Sequence, residues 1–216
     1  MTARVSHPLF ARIYPRIDAF AEAHGGLEHR KELLEGVQGR VLEIGAGTGA
    51  NFRHYPPQVE RVIAVEPEPR LRALAEQAAA GAPVPVEVVD ALAEKLPVGD
   101  GSVDVVVASL VLCTIPDVPA ALAEAARVLK PTGELRFYEH VASSRPRFAR
   151  IQRLIAPAWR LAGGGCHLTR DTERAIVEAG FSIERVRRFD FLINGRTGPA
   201  SPSIIGTVHP PIGDGG

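Results

Sequence analysis

Four side chains able to do chemistry stand where short β-branched runs end. Glu43 comes just before "GAGTGANF", Glu66 lies in "VIAVEPEP", Asp90 follows "VEVV", and His140 follows "LRFYE". In an open α/β sheet the carboxyl ends of the strands gather along one rim, and ligands bind in the crevice beside it. Gly45, Gly47 and Ala50 satisfy the loose form of a dinucleotide fingerprint. Glu66 follows at about the spacing of a ribose-binding acid. On these residues alone NAD is a candidate ligand.

Glu43 separates the candidates. A carboxylate two residues before Gly45 opposes a pyrophosphate and favours a cationic amino group or a sulfonium. S-adenosylmethionine carries both cations, and its spent form is S-adenosylhomocysteine. The alternative is that Glu43 caps backbone amides of the turn. Asp90, with Ala91 and Leu92 after it, fits an acid bonding to an adenine amino group beside a small residue; it equally fits a helix N-cap before "ALAEKL". The same rim collects Ser109, Leu110, Glu139 and His140.

The elements that must position these groups read as a doubly wound α/β layout. Strands are expected at 40–44, 61–65, 84–89, 103–109 and 134–139, with helices or helical turns at 50–55, 70–80, 91–96 and 118–129. Upstream, Phe10, Ile13, Ile17 and Phe20 recur at helical spacing, so residues 1–36 form a helical cap over the sheet edge or the site. Downstream, "FSIERVRRFDF" and "SPSIIGTVHP" leave no room for a helix between them and read as an antiparallel pair; "GDGG" reads as disordered. The organisation is a single domain: cap 1–36, cofactor core 40–141, lid 142–172, and a C-terminal helix with antiparallel strands over 173–210.

The lid expectation rests on "SSRPRFARIQRLIAPAWRLAGGG", which holds five arginines and no acid, with Phe148, Ile151, Leu154, Ile155 and Trp159 between them. Pro146, Pro157 and three glycines break it into short pieces, which suits a lid better than the alternative, a weak contact with a membrane surface. Arg170 and Asp171 read as a helix-start pair with Thr169 as the cap.

The 216 residues are 45% hydrophobic, with 25 basic and 25 acidic side chains. That balance supplies no overall field for nucleic acid, and nothing points to an obligate protein partner. Cys113 and Cys166 lack the paired spacing of a zinc site, so no metal is expected, and they suit a reducing cytoplasm. No stretch reaches the roughly 20 apolar residues of a membrane span.

Taken in order, "VLEIGAGTG", "VIAVEPEP", "DALAEKLPVGDGSVDVVVASLVL" and "LAEAARVLKPTGELRFYEH" resemble the successive motifs of class I S-adenosylmethionine-dependent methyltransferases. The resemblance implies a mostly parallel seven-stranded sheet. It places the donor's ribose on Glu66, its adenine near Asp90, Ala91 and Leu92, and its methionine end near Glu43, Gly45 and Gly47. Ala46, Gly49, Asn51, Pro67, Ser109 and Leu110 complete the candidate cofactor set. "GAGTGANFRHYPP", "SVDVVVASLVLCTIPD", "YEHVASS" and "PAWRLAGGGCHLTRDTERAIVEAGFS" are similar to the methyltransferase-like 7 family, alkyl thiol methyltransferases of animal cells. Those proteins begin with a hydrophobic anchor that this chain lacks, which implies a soluble relative.

Methyl transfer is an in-line displacement, so the protein must chiefly align a nucleophile and exclude water. A small-molecule thiol is the expected acceptor; oxygen, nitrogen or carbon of a quinone, lipid or natural product is the alternative. His140 is the candidate base, against a purely structural hydrogen-bonding role. Phe10, Tyr14, Cys113 and Trp159 are the candidate acceptor-binding residues, with Cys113 read as a small buried hydrophobe rather than a nucleophile.

Overall fold

One seven-stranded sheet organises the chain: β1 (Gly39–Ile44), β2 (Val59–Val65), β3 (Val86–Val89), β4 (Val103–Ser109), β5 (Leu129–His140), β6 (Ser182–Ile193) and β7 (Arg196–His209), in the order β3-β2-β1-β4-β5-β7-β6. The computed structural model describes residues 8–211, and "GDGG" lies outside them. Strands β1 to β5 are parallel, while β7 runs antiparallel to both β5 and β6. The chain order reverses between β1 and β4, and a crevice opens at such a switch point beyond the strand ends. Runs such as "VDVVVAS" form the central strands because both faces are covered and every position accepts a β-branched side chain. Asn194 and Gly195, with φ of 52° and 72°, form the two-residue turn between β6 and β7; positive φ at both positions matches the twist of the flanking strands.

Helices α1 (Pro8–Ala21) and α2 (Leu27–Leu34) are joined by a wide turn, Glu22–Gly26. Helices α3 (Pro69–Ala79) and α4 (Val118–Val128) each start on an acid and a proline. Glu68 accepts from the Leu71 N–H (2.8 Å) and Asp117 from the Ala120 N–H (3.0 Å), while proline at the first turn loses no hydrogen bond. Beyond β5 lie α5 (Pro146–Ala162) and α6 (Thr172–Glu178).

The core has two faces. Leu42, Ile44, Val106 and Leu122 pack on one side of the sheet, and Leu33, Leu34, Val41, Phe52 and Tyr55 on the other. Successive residues of a strand point to opposite faces, so Glu43 shares the side of Val41 and Tyr55, away from Ile44.

Several expectations are corrected. Residues 91–96 are a bridged turn, Leu92 opposite Lys95, rather than a helix. Leu96 N–H instead donates to Glu124 (2.7 Å). Of 50–55 only Phe52–His54 is helical, as one tight turn. The basic segment is one helix of 17 residues passing through Pro157, not short pieces. Buried Gln152 anchors it, accepting from Ser143 N–H (2.7 Å) and donating to the carbonyls of Val141 (3.2 Å) and Pro199 (3.0 Å). Ile155 and Trp159 pack beside Cys113, Cys166 and Leu168. Helix α6 is capped by Asp171, which accepts from Arg174 N–H (3.1 Å), not by Thr169. Arg170 reaches back to the carbonyls of Leu112 and Ile115.

Candidate active site

Two cavities meet at the switch point. The first runs along the ends of β1, β2 and β4 and is lined by Gly45, Gly47, Glu66, Pro67, Ala91, Leu92, Ser109 and Leu110 among others. Gly45 and Gly47 have φ of 66° and 59°, a region that costs other residues about 1–2 kcal/mol. A Cβ on Gly45 would fall inside the side chain of Val111, and one on Gly47 would lie 3.2 Å from the Tyr14 ring. Gly45→Ala is therefore expected to lower stability by about 2 kcal/mol or more, from backbone strain plus overpacking. A thermal or urea melt checks this, and an unchanged midpoint would mean that Val111 moves aside at no cost.

Glu66 takes the amide-capping role that Glu43 was considered for. Its Oε2 accepts from Gly47 N–H (2.9 Å) and its Oε1 from Glu68 N–H (2.9 Å). Burial raises its pKa against those two donors. One carboxylate thus links the glycine turn to the end of β2 and still faces the cavity. Leu110 carries a positive φ of 56°, its N–H held by Tyr138 O (2.6 Å). A leucine in that region is strained, and it forms part of the wall common to both cavities.

Glu43 lies behind this wall. It accepts from Asn51 Nδ2 (2.8 Å) and from the Tyr55 hydroxyl (2.7 Å). Burial pushes its carboxyl up to about 7, against the pull of those bonds and of Arg30. Asn51 in turn accepts from Arg30 (2.9 Å), and Arg30 pairs with Asp18 (2.5 Å), which also accepts from Thr48 (2.8 Å). This buried chain ties the glycine turn to α1 and α2. Glu43, Ala46, Gly49 and Asn51 therefore support the turn rather than line the cavity; Gly49 is needed because a Cβ would strike Phe52 and Ala78. Asp90 is exposed and pairs with Arg72 (3.0 Å), so it neither lines the cavity nor caps a helix.

The second cavity, about 400 Å³, is mostly apolar. Phe10, Tyr14, Leu110 and Thr114 line both cavities, and Cys113, His140 and Trp159 line the second. Burial raises the Tyr14 pKa, so this ring stays neutral. His140 Nδ1 lies 4.0 Å from Cys113 Sγ and 3.8 Å from Cys166 Sγ. The thiol bond to Cys166, then burial, pushes the Cys113 thiol up, while that bond and His140 pull Cys166 down against its own burial. Glu139 is fully buried and accepts from the N–H groups of Val111 (3.0 Å), Leu112 (2.8 Å) and Cys113 (3.0 Å). Burial drives its carboxyl to about 7.

Cys166, Arg30 and Asp18 were not singled out from the sequence. The first carried a signal, its place in "GCHLTRDT"; Arg30 and Asp18 carried none, since each lies in the N-terminal segment read only for its apolar spacing. The expectation of no metal rested on linear spacing, yet Cys113, His140 and Cys166 bring their ligand atoms within 4.8 Å of one another.

Residues 42–137 match the methyltransferase domain family. Thiol S-methyltransferase TMT1B of Rattus norvegicus is 41% identical over 155 residues, covering 69% of this chain and 63% of that protein. Thiol S-methyltransferase TMT1A of Homo sapiens is 42% identical over 146 residues, covering 66% and 59%. The chain thus spans under two thirds of either relative's length. A crystallised SAM-dependent methyltransferase of Thermotoga maritima superposes with a TM-score of 0.66 at 22% identity, over 93% of this chain and 97% of that one. The [4+2]-cyclase SpnF reaches 0.67 at 18%, over 95% and 94%. A cyclase among these neighbours shows that such likeness speaks for the fold alone. Sequence, sheet order and glycine turn agree: the chain has the fold of the class I S-adenosylmethionine-dependent methyltransferases, and its sequence is similar to that of the thiol S-methyltransferases.

Proposed function

We propose that the chain transfers a methyl group from S-adenosylmethionine to a small apolar thiol. The observation that carries this reading is the pair of cavities divided by Phe10, Tyr14, Leu110 and Thr114, the second apolar and walled at one point by Cys113, His140 and Cys166. The first cavity fits the donor: Glu66 offers a carboxylate for the ribose, Ala91 and Leu92 a slot for adenine, and Gly45 and Gly47 a side-chain-free edge for the methionine end. Bound there, the donor supplies a methyl already activated by a sulfonium. The anionic wall it meets is Glu66 with Glu68, not Glu43.

The chain's own task is alignment and desolvation. Tyr14 and Leu110 hold the boundary where the two ligands meet. Helices α1 and α5 enclose the acceptor through Phe10 and Trp159. His140 is placed to assist loss of the acceptor's proton. A small thiol suits this site because it already ionises in part near neutrality, whereas an oxygen acceptor needs a stronger base. Both cysteines are free thiols, which suits a reducing, cytoplasmic compartment.

The decisive measurement is labelled methyl transfer to a panel of alkyl thiols, phenols and amines. Transfer to thiols is expected, and activity confined to phenols or amines would defeat the proposal. Glu66→Ala should weaken S-adenosylhomocysteine binding by about 1–3 kcal/mol, through the lost charge-assisted ribose bonds. Titration calorimetry reads this directly, and unaltered affinity would remove Glu66 from the donor site.

A further inference from the structure

We infer that Cys113, His140 and Cys166 form a site for a divalent cation of the zinc class, with its fourth position turned into the acceptor cavity. The three ligands come from separate elements: the loop after β4, the end of β5, and the loop between α5 and α6. A tetrahedral ion with Zn–S near 2.3 Å and Zn–N near 2.0–2.1 Å sets its ligand atoms about 3.5–3.8 Å apart. Here the two Sγ–Nδ1 separations are 4.0 and 3.8 Å, and all three ligand atoms lie within 4.8 Å. Closing on an ion needs shifts of about an ångström or less, within the reach of small rotamer adjustments.

The backbone around the cluster is already fixed. Glu139 accepts from Cys113 N–H (3.0 Å), His167 N–H donates to Cys113 O (2.8 Å), and Cys166 N–H donates to Gly163 O (3.1 Å). The two cysteine-bearing loops are thus joined to each other. Among the described residues the buried indole N–H of Trp159 has no hydrogen-bond partner, and it sits among the residues packed on the two cysteines. Unsatisfied donors beside a metal centre commonly serve its sulfur ligands.

Two thiolates and a neutral imidazole balance a divalent charge. Three protein ligands with one open position are the pattern of reactive rather than structural zinc. All three residues line the apolar cavity, so a thiol entering it meets the fourth position. There it releases its S–H proton to solvent and binds as the thiolate; the ion changes no oxidation state. His140 then assists deprotonation as a ligand through Nδ1. This role for the ion rests on the thiol reading above, whereas the site itself does not.

The test uses the full chain, reduced and stripped of metal, titrated with Co2+ and then competed with Zn2+. One equivalent should produce sulfur-to-cobalt charge-transfer absorption and the visible bands of a tetrahedral ion, and hexanethiol should shift those bands. Cys113→Ser and Cys166→Ser should each weaken binding at least about tenfold. No cobalt bands in the reduced wild-type protein, or equal binding by the folded double serine variant, would overturn the site. Bands that hexanethiol leaves unchanged would overturn its acceptor role. Full-rate thiol methylation by metal-free protein removes the ion's role and leaves the proposed reaction standing. Cobalt bands without transfer to any thiol do the reverse.

Discussion

His140→Ala is expected to lower turnover of an alkyl thiol near neutral pH by about 10²- to 10⁴-fold, the usual contribution of a positioned proton acceptor. Among the described residues, the imidazole is the one basic ring nitrogen lining the second cavity beside the two thiols, at 3.8 and 4.0 Å. Without it, the rate depends on thiolate formed in free solution. That fraction rises about tenfold per pH unit below a thiol pKa of about 8.5. The gap between variant and parent should therefore be widest at low pH and narrow as pH rises. The sign is the same whether His140 takes the proton or acts through a bound ion. A pH–rate profile of both proteins decides it. Equal loss at every pH would assign His140 a structural role.

Arg30→Ala should cost about 3–5 kcal/mol of stability, the scale for stripping one partner from a buried ion pair. Arg30 is 6% exposed and Asp18 8%. The guanidinium bonds Asp18 and Asn51, and its charge favours the ionised form of Glu43. Removing it leaves Asp18 buried with Thr48 as its one side-chain donor among the described residues. Asn51 in the turn also loses its tie to α2, so donor affinity should fall with stability. Chemical denaturation measures the first effect and a donor titration the second. The double variant Arg30→Met, Asp18→Leu should recover part of the loss, since the buried Asp18 charge is removed with its partner. A loss under about 1 kcal/mol in the single variant would show that water reaches Asp18.

The parallel core was legible because its signals are local. Val103–Ser109 is β4 residue for residue, and β1, β2, α3 and α4 depart from expectation by a few positions. Repetitive Val runs and acid-proline helix starts act within one element, and neither depends on distant partners. The turn at residues 91–96 misled because "ALAEKL" has helical propensity, while Glu124 from α4 takes the Leu96 amide. Helix α5 misled in the opposite sense. Two prolines suggested breaks, but Pro146 only starts the helix, and Gln152, bonded to the carbonyls of Val141 and Pro199, and Trp159, packed on Cys113 and Cys166, anchor it on both sides of Pro157.

The sequence by itself determined the sheet, the glycine turn, Glu66 on the first cavity, and Phe10, Tyr14, Cys113, His140 and Trp159 on the second. These follow from strand ends and from periodicity, which a linear pattern records. Only the tertiary structure decided that Glu43 faces Asn51 and Tyr55, that Asp90 turns outward to Arg72, and that Cys166 joins Cys113 and His140. The reason is physical. A side chain's direction depends on which sheet face is covered by what, and contacts between residues far apart in the chain arise only when separate loops are packed together.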